Sequence, residues 1–488
     1  MDILLISPNY NNEVSFCWSA LSLGSYLSGV ERCKVELLDA NAYSEKSYFQ
    51  KLGSSCRKAK IVGISLMSPD TYFAKNTVDY IKSIDPGIKI IAGGPHVMLK
   101  PEQTCLYKNI DFVAYGEGER TLSALIKKIE TDDQEYSDVP GLIYKEGNSL
   151  KKTTPAPLMG FFDTDYDLLP ESTKKTFPCY IQVLTGRGCS FACTFCFNSV
   201  CGQKWRGRPM MPEVAGEIDN LVRKYNPKII YFRDENFFHS PDRIREFIKY
   251  YRERKYSFAW RANCRASYCN GNYLNLDLLK ELESINCRVL KFGIESGSQR
   301  VLNYFKKGLK IEHVERLVYA FSKVKRITPA YSFIIGVPAE APEEYKSTLK
   351  LIKFIAKYNP NAKIIGPQYF RIYPGGELYE EVVKKYHYAE PASFEEWALR
   401  HSPDNDPYGF NKNISYPWIK RGYAFFVQHV DTLVLFSMQD IRRYLRIRLI
   451  WHLPFILLAK MRMSLGWYGA LFDIRFTLIM RKLKMKHL

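Results

Sequence analysis

Cys189, Cys193 and Cys196 stand four and three residues apart in the stretch TGRGCSFACTFCFNSV. Soft thiolates so closely spaced suit an iron–sulfur cluster or a zinc ion. The count of three is informative. A four-iron cluster held by three thiolates keeps one iron open to a small molecule. Gly186 and Gly188 let the backbone turn tightly and approach a ligand. Phe191, Phe195 and Phe197 would keep water away. The competing reading is a zinc knuckle. No fourth cysteine or histidine follows at the usual zinc spacing, although Cys201 lies five residues past Cys196.

The chain that must position this loop has 488 residues, 46% of them hydrophobic, which implies two or three folded domains. The twelve cysteines are scattered apart from the trio, which does not read as a disulfide scaffold. A thiolate-held cluster needs a reducing compartment, so a cytoplasmic location is expected. The start, MDILLISPNY, reads as a first strand and not as a signal peptide. The net charge of +19 is uneven: residues 441–488 carry eleven Lys or Arg against Asp473 alone.

Residues 1–150 alternate strand and helix patterns. DILLISP, VELLDA, KIVGISLMS, IKIIAGGPH and DFVAYGEGE read as strands. Helices are expected near 15–29, 70–84 and 121–130. The strands are apolar on both faces, which argues a parallel, doubly wound, Rossmann-like sheet. Such sheets bind ligands beyond the C-terminal ends of their strands. Ser7, Pro8, Asn9, Ser65, Ser68, Gly93, Gly94, His96, Gly116, Glu117, Gly118 and Glu119 all fall there. No GxGxxG follows the first strand, which argues against a dinucleotide site. Glu117 and Glu119 have an ordinary reading as well, since acids at a helix start favour its free amides and dipole.

Residues 151–178 contain four prolines and read as a linker. From 179 to 380 six strand–helix repeats follow: YIQVLTGRG, KIIYFRDENFF, FAWRANC, RVLKFGIESG, AYSFIIGVP and AKIIGPQYFRIYPGG, with helices at 212–225, 275–285, 312–325 and 343–357. Polar residues and glycines mark the strand ends, the pattern of a partial (β/α)6 barrel with its site at the top face. Tyr369, Arg371 and Tyr373 share one strand face at period two and are candidate catalytic side chains. Residues 381–488 read as a helical, basic region. Leu449 to Ala459, eleven residues that include His452 and Pro454, is too short to span a membrane. Basic residues alternating with apolar ones, with Trp451 and Trp467, point instead to interfacial helices or a packed helical cap.

Two sets of motifs resemble one family. The CxxxCxxC spacing, with Phe195 before its third cysteine, looks like the radical S-adenosylmethionine (SAM) superfamily. There the cysteines hold a [4Fe–4S] cluster, SAM chelates the open iron, and one electron splits SAM to a 5′-deoxyadenosyl radical. LLISPN, SLMS, GGPH and YGEGE, in that order, resemble the cobalamin-binding domain that precedes many such cores. The cobalt-ligating DxHxxG motif of mutases is absent, so the resemblance implies cobalamin bound without a histidine ligand. His96 would then bond to the nucleotide tail or a loop.

The same resemblance implies roles in the second domain. Asp234 and Glu235 match a DDNF segment, with Glu235 replacing the second Asp. Arg261, read as the end of its strand, would pair with the SAM carboxylate or with those acids. Glu295 and Ser296, in FGIESGSQRVL, would contact the methionyl amine or ribose, and Gly336 in IIGVP would lie near the adenine. The implied function is methyl transfer by a cobalamin-dependent radical SAM enzyme to an unactivated carbon. The greasy basic tail favours a lipid or isoprenoid-like substrate and peripheral contact with the inner membrane face, and argues against nucleic acid. A flavodoxin- or ferredoxin-like electron donor is implied. The rivals are cyclisation, carbon–carbon coupling or rearrangement on the same cofactors, methylthiotransfer on tRNA, which would want extra clusters and a nucleic-acid module, and a non-catalytic cofactor carrier at the membrane.

Overall fold

The computed structural model describes residues 2–8, 18–171, 173, 177–200, 204–271, 273–403, 416–438 and 453–467. Asn9, Cys201 and most of the basic tail lie outside the described residues. The chain forms two compact units. The first holds Met1–Pro178, Tyr373–Gly375 and Tyr388–Pro407; the second holds Cys179–Ile372, Gly376–His387 and Tyr408–Leu488.

In the first unit β1 (Ile3–Ser7), β2 (Val35–Asp39), β3 (Ile61–Ser65), β4 (Lys89–Gly93) and β5 (Phe112–Ala114) pair in parallel in the order β2-β1-β3-β4-β5. All five residues of β1 are buried, as strands covered on both faces require. Leu4, Ile6, Val62, Ile64 and Ile90 pack with Tyr48 and Leu52 of a helix at Glu45–Cys56 and with Val78 and Ile81 of Thr71–Ile84. The chain reverses its winding at β1, so the loops after β1 and β3 flank the switch point of the sheet. The sheet is mixed and not wholly parallel. β6 (Leu142–Glu146) and β7 (Ser149–Lys152) add an antiparallel hairpin to β5. Gly147, at φ +58°, makes its turn.

The segment after Tyr388 also belongs to this unit. Its helix, Phe394–Arg400, packs on Thr71–Ile84. Trp397 is fully buried there, and its indole N–H donates to Gln103 Oε1 at 3.0 Å.

The second unit carries β8 (Tyr180–Val183) and a two-stranded ribbon of β9 (Gly186–Arg187) and β10 (Arg206–Gly207). Then come β11 (Ile229–Phe232), β12 (Ala259–Cys264), β13 (Cys287–Glu295), β14 (Thr328–Ile335) and β15 (Lys363–Tyr369). β8 and β11–β15 form one parallel sheet in sequential order, with helices in the crossovers, which is the partial (β/α)6 barrel. One face of this sheet meets the helices: Phe232 and Trp260 pack on Phe247, and Phe292 packs on Phe321. Phe247 lies on a helix, Pro241–Glu253, that the sequence reading passes over. It starts at Ser240, whose side chain accepts from Arg243 N, with Pro241 in the first turn. Val430, Leu433 and Val434 are buried on the helix Arg421–Ser437, which packs against β15. Among the described residues no helix is long and apolar enough to cross a membrane.

Candidate active site and cofactor cradle

The cysteine loop leaves β9 and returns at β10, so a short antiparallel ribbon closes its neck. Its middle is anchored to the turn after the helix Gln299–Tyr304. Thr194 N donates to Phe305 O at 3.1 Å, Thr194 Oγ1 to Tyr304 O at 3.2 Å, and Leu378 N to Thr194 O at 3.2 Å. Cys196 N closes a turn on Cys193 O at 3.0 Å. Phe195 packs edge-on against Phe305, and Phe191 against Tyr268.

Two cations flank the thiols. The Arg265 guanidinium is buried, lies 3.5 Å from the Phe191 ring centre, donates to Lys307 O, and stands 3.7 Å from Cys193 Sγ. Lys307 Nζ lies 5.6 Å from the Phe195 ring centre and pairs with Glu295 Oε1 at 2.8 Å. Burial pushes the Cys189 and Cys196 thiols up; the charge of Arg265 beside Cys189 and of Lys307 beside Cys196 pulls the other way. Cys189, Cys193 and Cys196 are all free thiols. Among the described residues no three His, Cys, Asp or Glu side chains gather as a single metal ion requires. A four-iron cluster seats each thiolate on a different iron, which needs a wider spread. A three-thiol loop with two buried cations beside it fits such a cluster.

The strand ends around the loop are occupied in specific ways. Asp234 is fully buried, and its carboxylate accepts from Thr185 N at 2.7 Å and Thr185 Oγ1 at 2.6 Å. It ties down the exit of β8. Glu235 is exposed at the strand end, and desolvation, with the charge of Asp234 beside it, raises its pKa. Glu295 is 6% exposed and held at φ +73°, a strained backbone for a residue with a Cβ. Its carboxylate folds back over Gly293, where any added Cβ would stand 2.1 Å from Oε1. Ser296 is buried, its Oγ 3.3 Å from Thr348 Oγ1 and accepting from Ser298 N. Gly336, at φ +76°, donates its N–H to Glu340 Oε2 at 2.6 Å and accepts from Trp418 Nε1 at 2.9 Å.

Two expectations are corrected. Arg261 does not end its strand: β12 runs on to Cys264, and the arginine at the strand end is Arg265. Arg261 lies in mid-strand, its guanidinium 4.2 Å from the Tyr231 ring centre and without a carboxylate partner among the described residues. Tyr369, Arg371 and Tyr373 do not share a strand face, although the Arg371 guanidinium lies 5.4 Å from the Tyr369 ring centre. β15 ends at Tyr369, and an irregularity opposite Ser332 and Ile334 inserts one residue into it. That insertion sets Tyr369 opposite Ile335, on the side of Tyr331, which stacks on Phe292. Arg371 and Tyr373 lie beyond the strand, and Tyr373 groups with the first unit.

In the first unit the parallel register brings Ser7 and Pro8, Ser65 and Ser68, Gly93 and Gly94, and the Gly116–Glu119 turn to one edge. Ser19 Oγ donates to Ser65 Oγ at 3.0 Å. A Cβ on Gly94, at φ +96°, would come within 2.8 Å of Leu66 N and O, so only glycine fits. Gly116 is open, with no atom within 4 Å of an added Cβ. Glu117 Oε2 accepts from Met159 N at 2.7 Å, while Gly118 and the buried Glu119 begin the helix Gly118–Glu130. His96 is not open to a ligand. It is fully buried, Nδ1 is 3.0 Å from Ser68 Oγ, and its ring stands edge-on to Trp397. Of its possible partners, the geometry favours the loop. An exposed glycine turn beside close-packed loop backbone fits a large planar ligand laid on this edge.

The family profile described as B12 binding domain matches residues 18–126, and the Radical SAM superfamily profile matches residues 183–352. An uncharacterized methyltransferase from Pyrococcus horikoshii is 30% identical over 395 residues, which are 78% of this chain and 83% of that protein. An anaerobic magnesium-protoporphyrin IX monomethyl ester cyclase from Rubrivivax gelatinosus is 24% identical, covering 79% of this chain and 70% of its own length. The solved radical SAM methyltransferase TsrM from Kitasatospora setae, with tryptophan and a SAM analogue bound, has a TM-score of 0.66 at 17% identity. It covers 91% of this chain and 89% of its own. At that identity the likeness is one of fold.

Proposed function

Because this chain belongs to the cobalamin-dependent radical SAM enzymes, we propose that it methylates an unactivated carbon of a hydrophobic, lipid- or isoprenoid-like molecule. It is an enzyme, and its cofactors are cobalamin, a [4Fe–4S] cluster and SAM. The observation that carries the reading is one chain holding both a three-thiol loop and a B12-binding sheet, with a methyltransferase 30% identical to it. When bound, these groups supply one-electron chemistry and methyl delivery.

The protein's own part is to bind, orient and exclude. Cys189, Cys193 and Cys196 would hold the cluster. Arg265 and Lys307 offset the negative charge that three thiolates gather in a partly buried loop. Phe191, Phe195 and Phe305 keep water from its rim. Glu295, pinned by Lys307 and left-handed in its backbone, is set to accept a hydrogen bond from the methionyl amine. In the first unit the serine and glycine loops would seat the corrin, with Gly94 keeping the backbone low enough for close approach. A flavodoxin- or ferredoxin-like protein would deliver the electrons, and the basic stretch 441–488 would rest on an anionic membrane surface.

The cyclase relative favours a second reading, in which the substrate radical closes a ring, couples or rearranges. Anaerobic reconstitution followed by assay of 5′-deoxyadenosine and product mass tests both. A product heavier by one methylene supports methyl transfer, and one lighter by two hydrogens supports ring closure. No 5′-deoxyadenosine across candidate lipids, with SAM and a strong reductant present, overturns the proposal.

A further inference from the structure

Below the strand ends, the inward face of the barrel carries positive charge without its counterpart. The outward face is fixed by Phe232, Trp260 and Phe292, which meet the helices, so Tyr231, Arg261 and Lys291 point the other way. Register extends the pattern: Lys291 and Lys363 both pair with Ala330 and therefore share a row. Arg261 sits one row lower, beside Val289. It is half-buried, its guanidinium 4.2 Å from the Tyr231 ring centre and 5.9 Å from that of Tyr180. Two rings hold the guanidinium plane, leaving its N–H edges free to donate. Lys291 and Lys363 are exposed within this concave sheet. No inward position of β8 or β11–β15 below Glu295 holds an Asp or Glu. At the strand ends above these rows stand Glu235, beside the charge of Arg233, and Glu295, paired with Lys307. Arg233 also donates to Gln182 at 2.7 Å.

Like charges on neighbouring rows of one concave face repel one another and favour an anion there. We propose that Arg261, Lys291 and Lys363 bind the oxyanion, a carboxylate or phosphate monoester, of an acidic substrate. This deepens the methyltransferase reading and rests on it. Four strand residues separate Lys291 from Glu295, about 13 Å along the strand. The substrate therefore places its anionic group roughly 10 Å from the carbon to be activated at the strand ends, as an acidic amphiphile can.

The test uses the full-length reconstituted enzyme and three probes of one chain length: decanoate, decyl phosphate and decanol. Calorimetric titration is expected to show at least one anion binding ten-fold or more tighter than decanol. Tighter decyl phosphate assigns a phosphate group, and tighter decanoate a carboxylate. Arg261→Gln with Lys291→Gln should remove the preference, and Lys291→Gln alone, at an exposed side chain, should halve it or more. Arg261→Lys with Lys291→Arg should keep it. Anions binding no tighter than decanol, or a preference unchanged in Lys291→Gln and the double variant, overturns the proposal. The 5′-deoxyadenosine assay is independent: turnover without anion preference sinks only this inference, and anion preference without turnover sinks only the reaction.

Discussion

Replacing Arg265 by Gln removes a full positive charge 3.7 Å from Cys193 Sγ. A metal–sulfur bond would add about 2.3 Å, so an iron held by Cys193 would lie within about 6 Å of the guanidinium. At an effective dielectric of about 20, a unit charge at that distance is worth about 2.8 kcal/mol. Arg265 is only 9% exposed, so salt screens little of this. Reduction adds one electron to the cluster, and about 2.8 kcal/mol on one electron is about 120 mV. The lost charge disfavours the reduced state, so the midpoint of Arg265→Gln should fall by on the order of 100 mV. Arg265→Lys keeps the charge but loses the planar contact with Phe191 and should fall by less than half as much. The assay is a redox titration followed by electron paramagnetic resonance on the reconstituted full-length protein. A Gln variant with normal iron content and a midpoint within about 20 mV of wild type would show that the guanidinium does not act on the cluster.

Glu340 is buried and pushed up to about 8 by desolvation, although Gly336 N and Val337 N both donate to it. Folded protein keeps this proton from pH 4.5 to 8 while unfolded chain releases it, so its contribution to stability falls as pH rises through that window. Glu340→Gln should flatten the fall in urea midpoint between pH 5 and pH 8; an unchanged slope would rule the residue out. His96 is pulled the other way, to about 3, by burial and by His401 nearby. The folded state refuses a proton that the unfolded chain accepts below 6.5, so stability is lost as pH falls, about 2 kcal/mol at pH 5. The hydrogen-exchange protection factors across 394–401 should fall from pH 7.5 to pH 5 in wild type, but not in His96→Gln. Gly94→Ala drives a Cβ within 2.8 Å of Leu66 N and O at a φ of +96°. It should cost about 2 kcal/mol or more and abolish retention of cobalamin on desalting, read by its visible absorbance. Full retention would mean that the edge loops do not seat the corrin.

What the sequence made legible was local. Three cysteines at fixed spacing, β-branched runs such as IVGIS, and glycines after them carry their meaning within ten residues. The helix Pro241–Glu253 was equally readable, with Ile244, Phe247, Ile248 and Tyr251 on one face, and was passed over for its charged neighbours. The errors arose where pairing between strands decides the outcome. Two arginines stand four residues apart here, Arg261 inside β12 and Arg265 just past its end, and nothing in FAWRANCRA says where the hydrogen bonding to β11 and β13 stops. Choosing Arg261 as the strand end put the charge a full layer too low and hid Arg265, the residue that touches the cysteine loop. In β15 one inserted residue reversed the face of Tyr369, because a period of two leaves no room for error. The burial of His96 depends on Trp397, some 300 residues away, and a polar residue after a glycine turn looks like a ligand until its cover is found. The misreading of Arg261 has a chemical consequence. At the strand end it would have been one more contact to SAM. In mid-barrel, with Lys291 and Lys363 one row above it and no acid on the strand positions between them, it asks for a negative charge from the substrate itself.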